Sequence, residues 1–147
     1  MATNNFSLDF VDHSPEIIAQ FNQCCHRALE EIGLRCEGYA AALCPVGTVE
    51  STNVQHYSGG TLRQSLTHKV VGNEVFVGSN VYYAVYVEHG TGVYADSGNG
   101  RQSPWVWRDK NGDYHWTRGI KPQHFLLKAI TEHDAEYESV IRNAFTF

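Results

Sequence analysis

Ser79-Asn80-Val81-Tyr82-Tyr83-Ala84-Val85-Tyr86-Val87-Glu88-His89-Gly90-Thr91-Gly92 is the stretch on which the fold of this chain turns. It sets four aliphatic residues and three tyrosines around one acid, then closes on a Gly-Thr-Gly turn. Two periodicities compete in it. Val81, Tyr83, Val85 and Val87 alternate, as on a half-buried strand, whereas Tyr83 and Val87 stand four apart, as on one or two turns of helix. Both readings remain open from the pattern. In either, the residue types are those of a packing and docking element, not a catalytic one. Glu88 is the conspicuous charge, because burying an acid costs several kcal/mol (order of magnitude) unless it is paired or hydrogen-bonded. The N–H groups of Gly90 and Thr91, or the guanidinium of Arg63, are the partners the sequence offers.

Hairpins are expected on either side. Upstream, Leu66–Val71 and Val75–Val77 are β-rich and flank Gly72-Asn73, a pair suited to a two-residue turn. Downstream, residues 92–103 are glycine-rich and polar and read as a mobile loop. Then Trp105–Asp109 and Asp113–Thr117 flank Lys110-Asn111-Gly112. With Asn111-Gly112 as a two-residue turn, Trp107 stands opposite Trp116, and Trp105 lies on the same face. Three indoles on one ribbon face are too much apolar surface to leave in water. The ribbon is therefore expected to lie on the body of the domain or on a neighbouring subunit.

The two ends of the chain read as helices. Ser14-Pro15-Glu16 is a start signal: a capping hydroxyl, proline in the first turn and an early acid. Ile18, Phe21, Cys25, Leu29, Ile32, Cys36, Tyr39 and Leu43 follow in steps of three and four, which predicts one buried stripe on a helix ending at Pro45. Gly33 and Gly38 each weaken this helix by roughly 1 kcal/mol relative to alanine and mark a bend or a close approach. Residues 46–60 are loop-like. Lys121-Pro122 introduces a last helix with Phe125, Leu126, Ile130, Tyr137, Val140, Ile141 and Ala144 near a 3.6 period. Glu132, Asp134, Glu136 and Glu138 fall on its other face, which reads as solvated.

Composition bounds the class. A chain of 147 residues fits one domain, spanning 1–147, with an N-terminal arm at 1–13, loops at 46–60 and 92–103, and a hairpin at 104–118. A domain of this size buries about 70% of its unfolded surface and needs no metal or disulfide staple. The net charge of −5 argues against a general nucleic-acid binder. No apolar run reaches membrane-spanning length, and Met1 to Asn5 lacks the pattern of a signal peptide, so assembly in a cytoplasm is expected. Cys24, Cys25, Cys36 and Cys44 form no C-x-x-C pair and read as buried or half-buried thiols.

Enzyme-like signals are thin. His89-Gly90-Thr91-Gly92 resembles the histidine turn of subtilisin-like proteases, but Ser97 and Ser103 lack the setting of a nucleophile. His115, His124 and His133 are nine residues apart, without metal-ligand spacing. No catalytic residue, cofactor or metal is assigned.

Four segments carry a resemblance: Gly60-Thr61-Leu62-Arg63-Gln64-Ser65-Leu66; Val75-Phe76-Val77-Gly78-Ser79; Tyr82-Tyr83-Ala84-Val85-Tyr86-Val87-Glu88-His89-Gly90-Thr91; and Lys121-Pro122-Gln123-His124-Phe125-Leu126. In this order, from about Ala28 to the C-terminus, the chain resembles the tail-completion, or head–tail joining, family of long-tailed bacteriophages. It departs in two places. An insertion separates Pro45-Val46-Gly47-Thr48 from Gly60-Thr61-Leu62, and His89 stands where the family more often has phenylalanine. The resemblance implies an α+β fold: a long N-terminal helix and a C-terminal helix on a small antiparallel sheet, an extended hairpin, long loops, and a short helical element near Tyr83–Glu88. It also implies a non-enzymatic neck component of the virion, a ring that is usually hexameric. Its partners would be copies of itself, a head-closure or connector protein, and a tail terminator or tail-tube protein. Phage DNA would pass through an acidic lumen without specific binding. The structural and interface residues expected are Leu62, Ser65, Tyr83, Ala84, Val87, Glu88, Gly90, Thr91, Trp105, Trp107, Trp116, Pro122, Phe125 and Leu126. The competing readings are a minor capsid or decoration protein and a small hydrolase using His89.

Overall fold

The computed structural model describes residues 9, 11–47, 59–109 and 111–146. Most of the expected N-terminal arm, most of the insertion between Thr48 and Gly60, and Lys110 in the second hairpin lie outside the described residues. The fold is α+β, as expected. Helix α1 (Ser14–Leu43) is followed by a one-turn helix α2 (Thr61–Gln64) and an antiparallel pair, β1 (Leu66–Val71) and β2 (Glu74–Ser79). Next come α3 (Ala84–His89), a 3-10 turn at Gly92–Tyr94, and a second antiparallel pair, β3 (Trp105–Arg108) and β4 (Tyr114–Thr117). Helices α4 (Phe125–Thr131) and α5 (Asp134–Ala144) close the described chain.

Helix α1 begins where the sequence places it, but not by the expected cap. No side chain caps the helix from its N-cap position; the Asp12 carboxylate instead accepts the Ser14 N–H at 2.9 Å, and bonds from the Ser14 hydroxyl and this N–H hold Asp12 below its usual carboxylate range. Arg63 closes the other end, donating to the Cys44 carbonyl at 2.9 Å.

The buried line of α1 also differs from the predicted stripe. It runs through small residues, Cys24, Ala28, Gly33, Cys36 and Ala40, and on to Cys44, while Ile18, Phe21 and Leu43 stay exposed. The reason is steric. Phe125, Leu62 and Leu66 bring the bulk to the shared core from other elements, so the second half of the helix presents Cys36 and Ala40, followed by Cys44, to them. All four thiols are free, with Cys25 only half-buried. Burial raises the Cys36 and Cys44 thiols above their ordinary range.

The two glycines of α1 separate cleanly. A Cβ at Gly33 would fall 2.5 Å from the His68 ring and 2.8 Å from a Val75 methyl, so this glycine admits the first hairpin to the helix. Gly38 has nothing within 4 Å. Strand β1 docks there through His68, whose Nδ1 lies 2.6 Å from Glu37 and whose Nε2 lies 3.3 Å from Glu30. These carboxylates raise the imidazole above its ordinary pKa, against a smaller opposing effect of burial. The first hairpin follows its expected register, Leu66↔Ser79 through Val71↔Glu74. Gly72 has φ +60°, as the first position of a type II′ turn requires.

The last helix is two helices. Glu132 and His133 break it, and the Thr131 hydroxyl turns back to the Leu127 carbonyl at 3.0 Å. The break sets the His133 ring flat on Tyr39, with centroids 3.4 Å apart. It also brings Glu136, expected in solvent, against Arg35 and the Tyr39 hydroxyl. These two donors hold Glu136 below its usual range. The Tyr137 hydroxyl spans the break to the Ala129 carbonyl at 2.6 Å. Glu132, Asp134 and Glu138 remain exposed, as expected.

Candidate functional site

The centre of the opening stretch, Ala84–His89, is a helix, and hydrogen bonding decides it. The β1–β2 ladder ends at the Leu66↔Ser79 pair, because β1 begins there. A strand continuing past Ser79 would leave its backbone groups unpaired. Instead the Ser79 hydroxyl accepts the Val81 N–H at 3.0 Å, and Ala84 N–H closes a turn onto the Val81 carbonyl at 3.0 Å. Helix α3 follows, and Tyr83, Ala84 and Val87 pack half-buried on the core. Ser65 ties this corner together, with its hydroxyl 2.6 Å from that of Ser79 and 2.7 Å from the Leu62 carbonyl.

Glu88 is 5% exposed. It bonds neither Gly90, Thr91 nor Arg63. Its two carboxylate oxygens accept the N–H groups of Leu126 (3.0 Å) and Leu127 (2.9 Å). It therefore caps the first turn of α4, satisfying donors that a helix start leaves open. The local cap position cannot do this. His124 sits there at φ +53°, the single non-glycine residue with positive φ among those described, and makes no side-chain cap bond. Backbone bonds from Gln123 to the Val87 carbonyl (3.0 Å) and from His124 to the Glu88 carbonyl (3.2 Å) complete the joint. Phe125, fully buried, then drops into the core.

Immediately downstream, two backbones cross. Thr91 N–H donates to the Ile120 carbonyl (2.9 Å) and Val93 N–H to the Arg118 carbonyl (3.0 Å), while Ile120 N–H donates to the Thr91 hydroxyl (3.0 Å). A Cβ at Gly92 would fall 2.0 Å from the Arg118 carbonyl oxygen, and one at Gly90 would fall 2.8 Å from Pro122. The Gly-Thr-Gly turn is thus a crossing that only glycine permits. It roots the second hairpin. The segment at 92–103 contains a 3-10 turn and is pinned by a bond from Asp96 N–H to the His89 carbonyl at 3.0 Å.

The second hairpin departs from its expected register. Trp107 pairs with His115, and Val106 pairs with Trp116. Asp109 and Asp113 close a longer loop, with Asp109 N–H donating to the Asp113 carbonyl and the Asp109 carboxylate accepting the Asn111 and Asp113 N–H groups, each at 2.9 Å. Gly112, at φ +96°, takes the left-handed position of a three-residue loop rather than that of a two-residue turn. One residue of slip moves a side chain to the other face. Trp105 and Trp107 therefore share one face, and Trp116 stands on the other. Trp105 is half-buried under the Arg101 guanidinium, Trp107 stacks on His115 with centroids 4.6 Å apart, and Trp116 is 64% exposed.

Of the residues singled out in the sequence, Leu62, Tyr83, Ala84, Val87, Phe125 and Leu126 gather around one core, with Glu88 capping beside them. Gly90, Thr91 and Pro122 meet at the crossing. A cleft of about 580 Å³ opens beside this joint, walled by Pro45, Leu62, Tyr83, Val87, Ile120 and Gln123. The His89 ring pairs with Asp96 at 3.4 Å, and Asp96 also lies 3.6 Å from His124. His115 bonds Asp109 at 2.9 Å and His133 lies on Tyr39, so the three spaced histidines occupy three separate places. Among the described residues, no group of three or more His, Cys, Asp or Glu side chains is arranged to hold a metal ion, and no helix is long and apolar enough to cross a membrane. No protein-family model matches the chain, and comparisons with curated proteins and with solved structures return no match.

The sequence reading missed one surface. Residues 100–121 hold five basic against two acidic side chains, net +3, while the rest of the chain holds six basic against fourteen acidic, net −8. A charge count taken by segment exposes this split, which the overall −5 conceals.

Proposed function

We propose that this chain is a non-enzymatic component of a bacteriophage neck, closing the end of the tail and joining it to the head as a ring of copies. The carrying observation is how the described residues spend their apolar surface. The segment of closest resemblance, Tyr82 to Thr91, is committed to internal joints: a cap on α4 and a backbone crossing that roots the second hairpin. Large apolar side chains are meanwhile left in solvent at both ends of the molecule. Ile17, Ile18 and Phe21 are exposed on α1, and Val106, Tyr114 and Trp116 on the second hairpin. Surfaces of this kind mark assembly contacts. The α+β architecture is the one that the resemblance implies.

The test is location. Immunogold labelling and mass spectrometry of purified particles should find the protein at the head–tail junction in a small fixed copy number. Label spread over the shell would favour the decoration reading, and absence from finished particles would overturn the proposal. The acidic-lumen hypothesis is checked separately, because a ring structure with a basic channel wall would remove it.

A further inference from the structure

We infer that the outer face of the β3–β4 hairpin docks head to tail into a groove at the far end of a second copy of this chain. The inference rests on the assembly reading only in taking the neighbour to be another copy.

The projecting part is the face that the true register creates. Val106 and Trp116 form a cross-strand pair, 58% and 64% exposed, beside Arg108 and Tyr114, the latter 74% exposed. The Arg108 guanidinium lies over the Tyr114 ring at 5.6 Å, so the rim of this face is both aromatic and cationic. Tryptophan, tyrosine and arginine are the residue types that dominate binding energy at protein interfaces.

The receiving part is an apolar groove of about 320 Å³ between the first half of α1 and the end of α5. Phe21, Cys25, Leu29, Ile141 and Phe145 wall it. Phe21 and Phe145 meet with centroids 5.2 Å apart. Exposed Ile17 and Ile18 continue it toward the start of α1, and Ile141 is 47% exposed.

Charge selects the pairing. The 100–121 segment that contains and roots the hairpin carries net +3, and the hairpin itself, 104–118, net +1. Helix α1 has four acids against two basic residues, and α5 has three against one, so the helices bounding the groove carry net −4. Complementary fields favour this contact over hairpin against hairpin or groove against groove.

Position requires that the contact be between copies. The hairpin is rooted at Ile120, which shares a cleft with Pro45 just past the end of α1. The near wall of the groove, Leu29, is about 24 Å away along the helix at 1.5 Å per residue. Strands of four residues reach only about 13 Å, so the hairpin cannot fill the groove of its own chain. Different patches at opposite ends make a heterologous contact, which closes into a ring or runs on as a filament.

The experiment uses two variants: Trp116→Ala, which blunts the projecting face, and Ile141→Arg, which places a like charge in the groove before the basic hairpin. Analytical ultracentrifugation over a wide concentration range should show the unmodified chain self-associating, and each variant alone weakened at least tenfold. An equimolar mixture should give a one-to-one pair and nothing larger, because only one intact hairpin and one intact groove can meet. Both sites are exposed, so unchanged melting curves are expected. If Trp116→Ala melts early, Arg108→Glu replaces it and should weaken association with a reduced salt dependence; if Ile141→Arg does, Ile18→Arg, at a 58% exposed position on the groove side, replaces it. Unchanged association of Trp116→Ala, a mixture that behaves like its separate components, or an unmodified chain that stays monomeric at every concentration would each overturn the inference. None of these outcomes bears on where the protein sits in a particle, so the neck reading stands or falls separately.

Discussion

The two hairpins have the same antiparallel topology and opposite fates. The first lays one face on α1, with Leu66 buried, His68 seated at Gly33, and its outward face left to Lys69, Thr67 and Phe76. The second buries neither face fully and keeps apolar groups on both. The first is held by side chains and the second mainly by backbone at its root. A hairpin docked through its side chains belongs to the core. One tethered at its root, with an aromatic outer face, is free to meet a partner.

The contrast can be broken most forcefully at the root. Gly92→Ala places a Cβ at φ +62° against the Arg118 carbonyl. It should cost about 3 kcal/mol or more in chemical denaturation, since both backbone strain and overlap resist it. A loss under about 1 kcal/mol would show that the crossing is pliable. Glu88→Ala comes next. It removes the acceptor of two part-buried N–H groups and should cost about 1–3 kcal/mol, with the amides of Leu126 and Leu127 exchanging faster with solvent. Normal protection of those two amides would contradict the capping role.

Helix α1 supplies an internal control for the first hairpin. Gly33→Ala should cost about 1–3 kcal/mol by pushing His68 and Val75 away from the helix. Gly38→Ala, which meets open space, should stabilise by about 0.5–1 kcal/mol. Equal shifts in thermal unfolding for the two variants would refute the close-approach account.

The subtlest test is pH. His68 is raised in the folded state by Glu37 first and Glu30 second. A raised imidazole contributes its full stabilisation below the unfolded value near 6.5 and loses it as pH rises through the folded value. Melting temperature should therefore decline across that window above pH 6.5, and His68→Gln should flatten the decline. An NMR titration placing His68 at or below 6.5 would contradict the pairing. Trp107→Ala, which the expected ribbon would make costly, should cost only about 1 kcal/mol, because the ring is 45% exposed and rests mainly on His115.

How much was legible depended on whether the signal was local. The start and end of α1, the Gly72-Asn73 turn, and the existence of both hairpins follow from proline, glycine and period, and all are found. The partners of Glu88 were not legible, because Leu126 and Leu127 lie 38 and 39 residues away and are ordinary leucines whose backbone does the bonding. The break at Glu132-His133 was hidden for a similar reason: neither residue is a helix breaker, and the break is stabilised by contacts with Tyr39 and Arg35 on another helix.

The amino-acid order alone determined the α+β class, the long first helix and the tightness of the first turn, since these rest on backbone preferences within a few residues. Only the tertiary structure decided that the tyrosine-rich stretch is helical, that small side chains line the inner face of α1, and that Trp116 points away from Trp105 and Trp107. Each of these depends on which backbone group or large side chain arrives from a distant part of the chain. The α3 choice turned on where the β1–β2 ladder ran out of partners, and the tryptophan arrangement on a single residue of loop length.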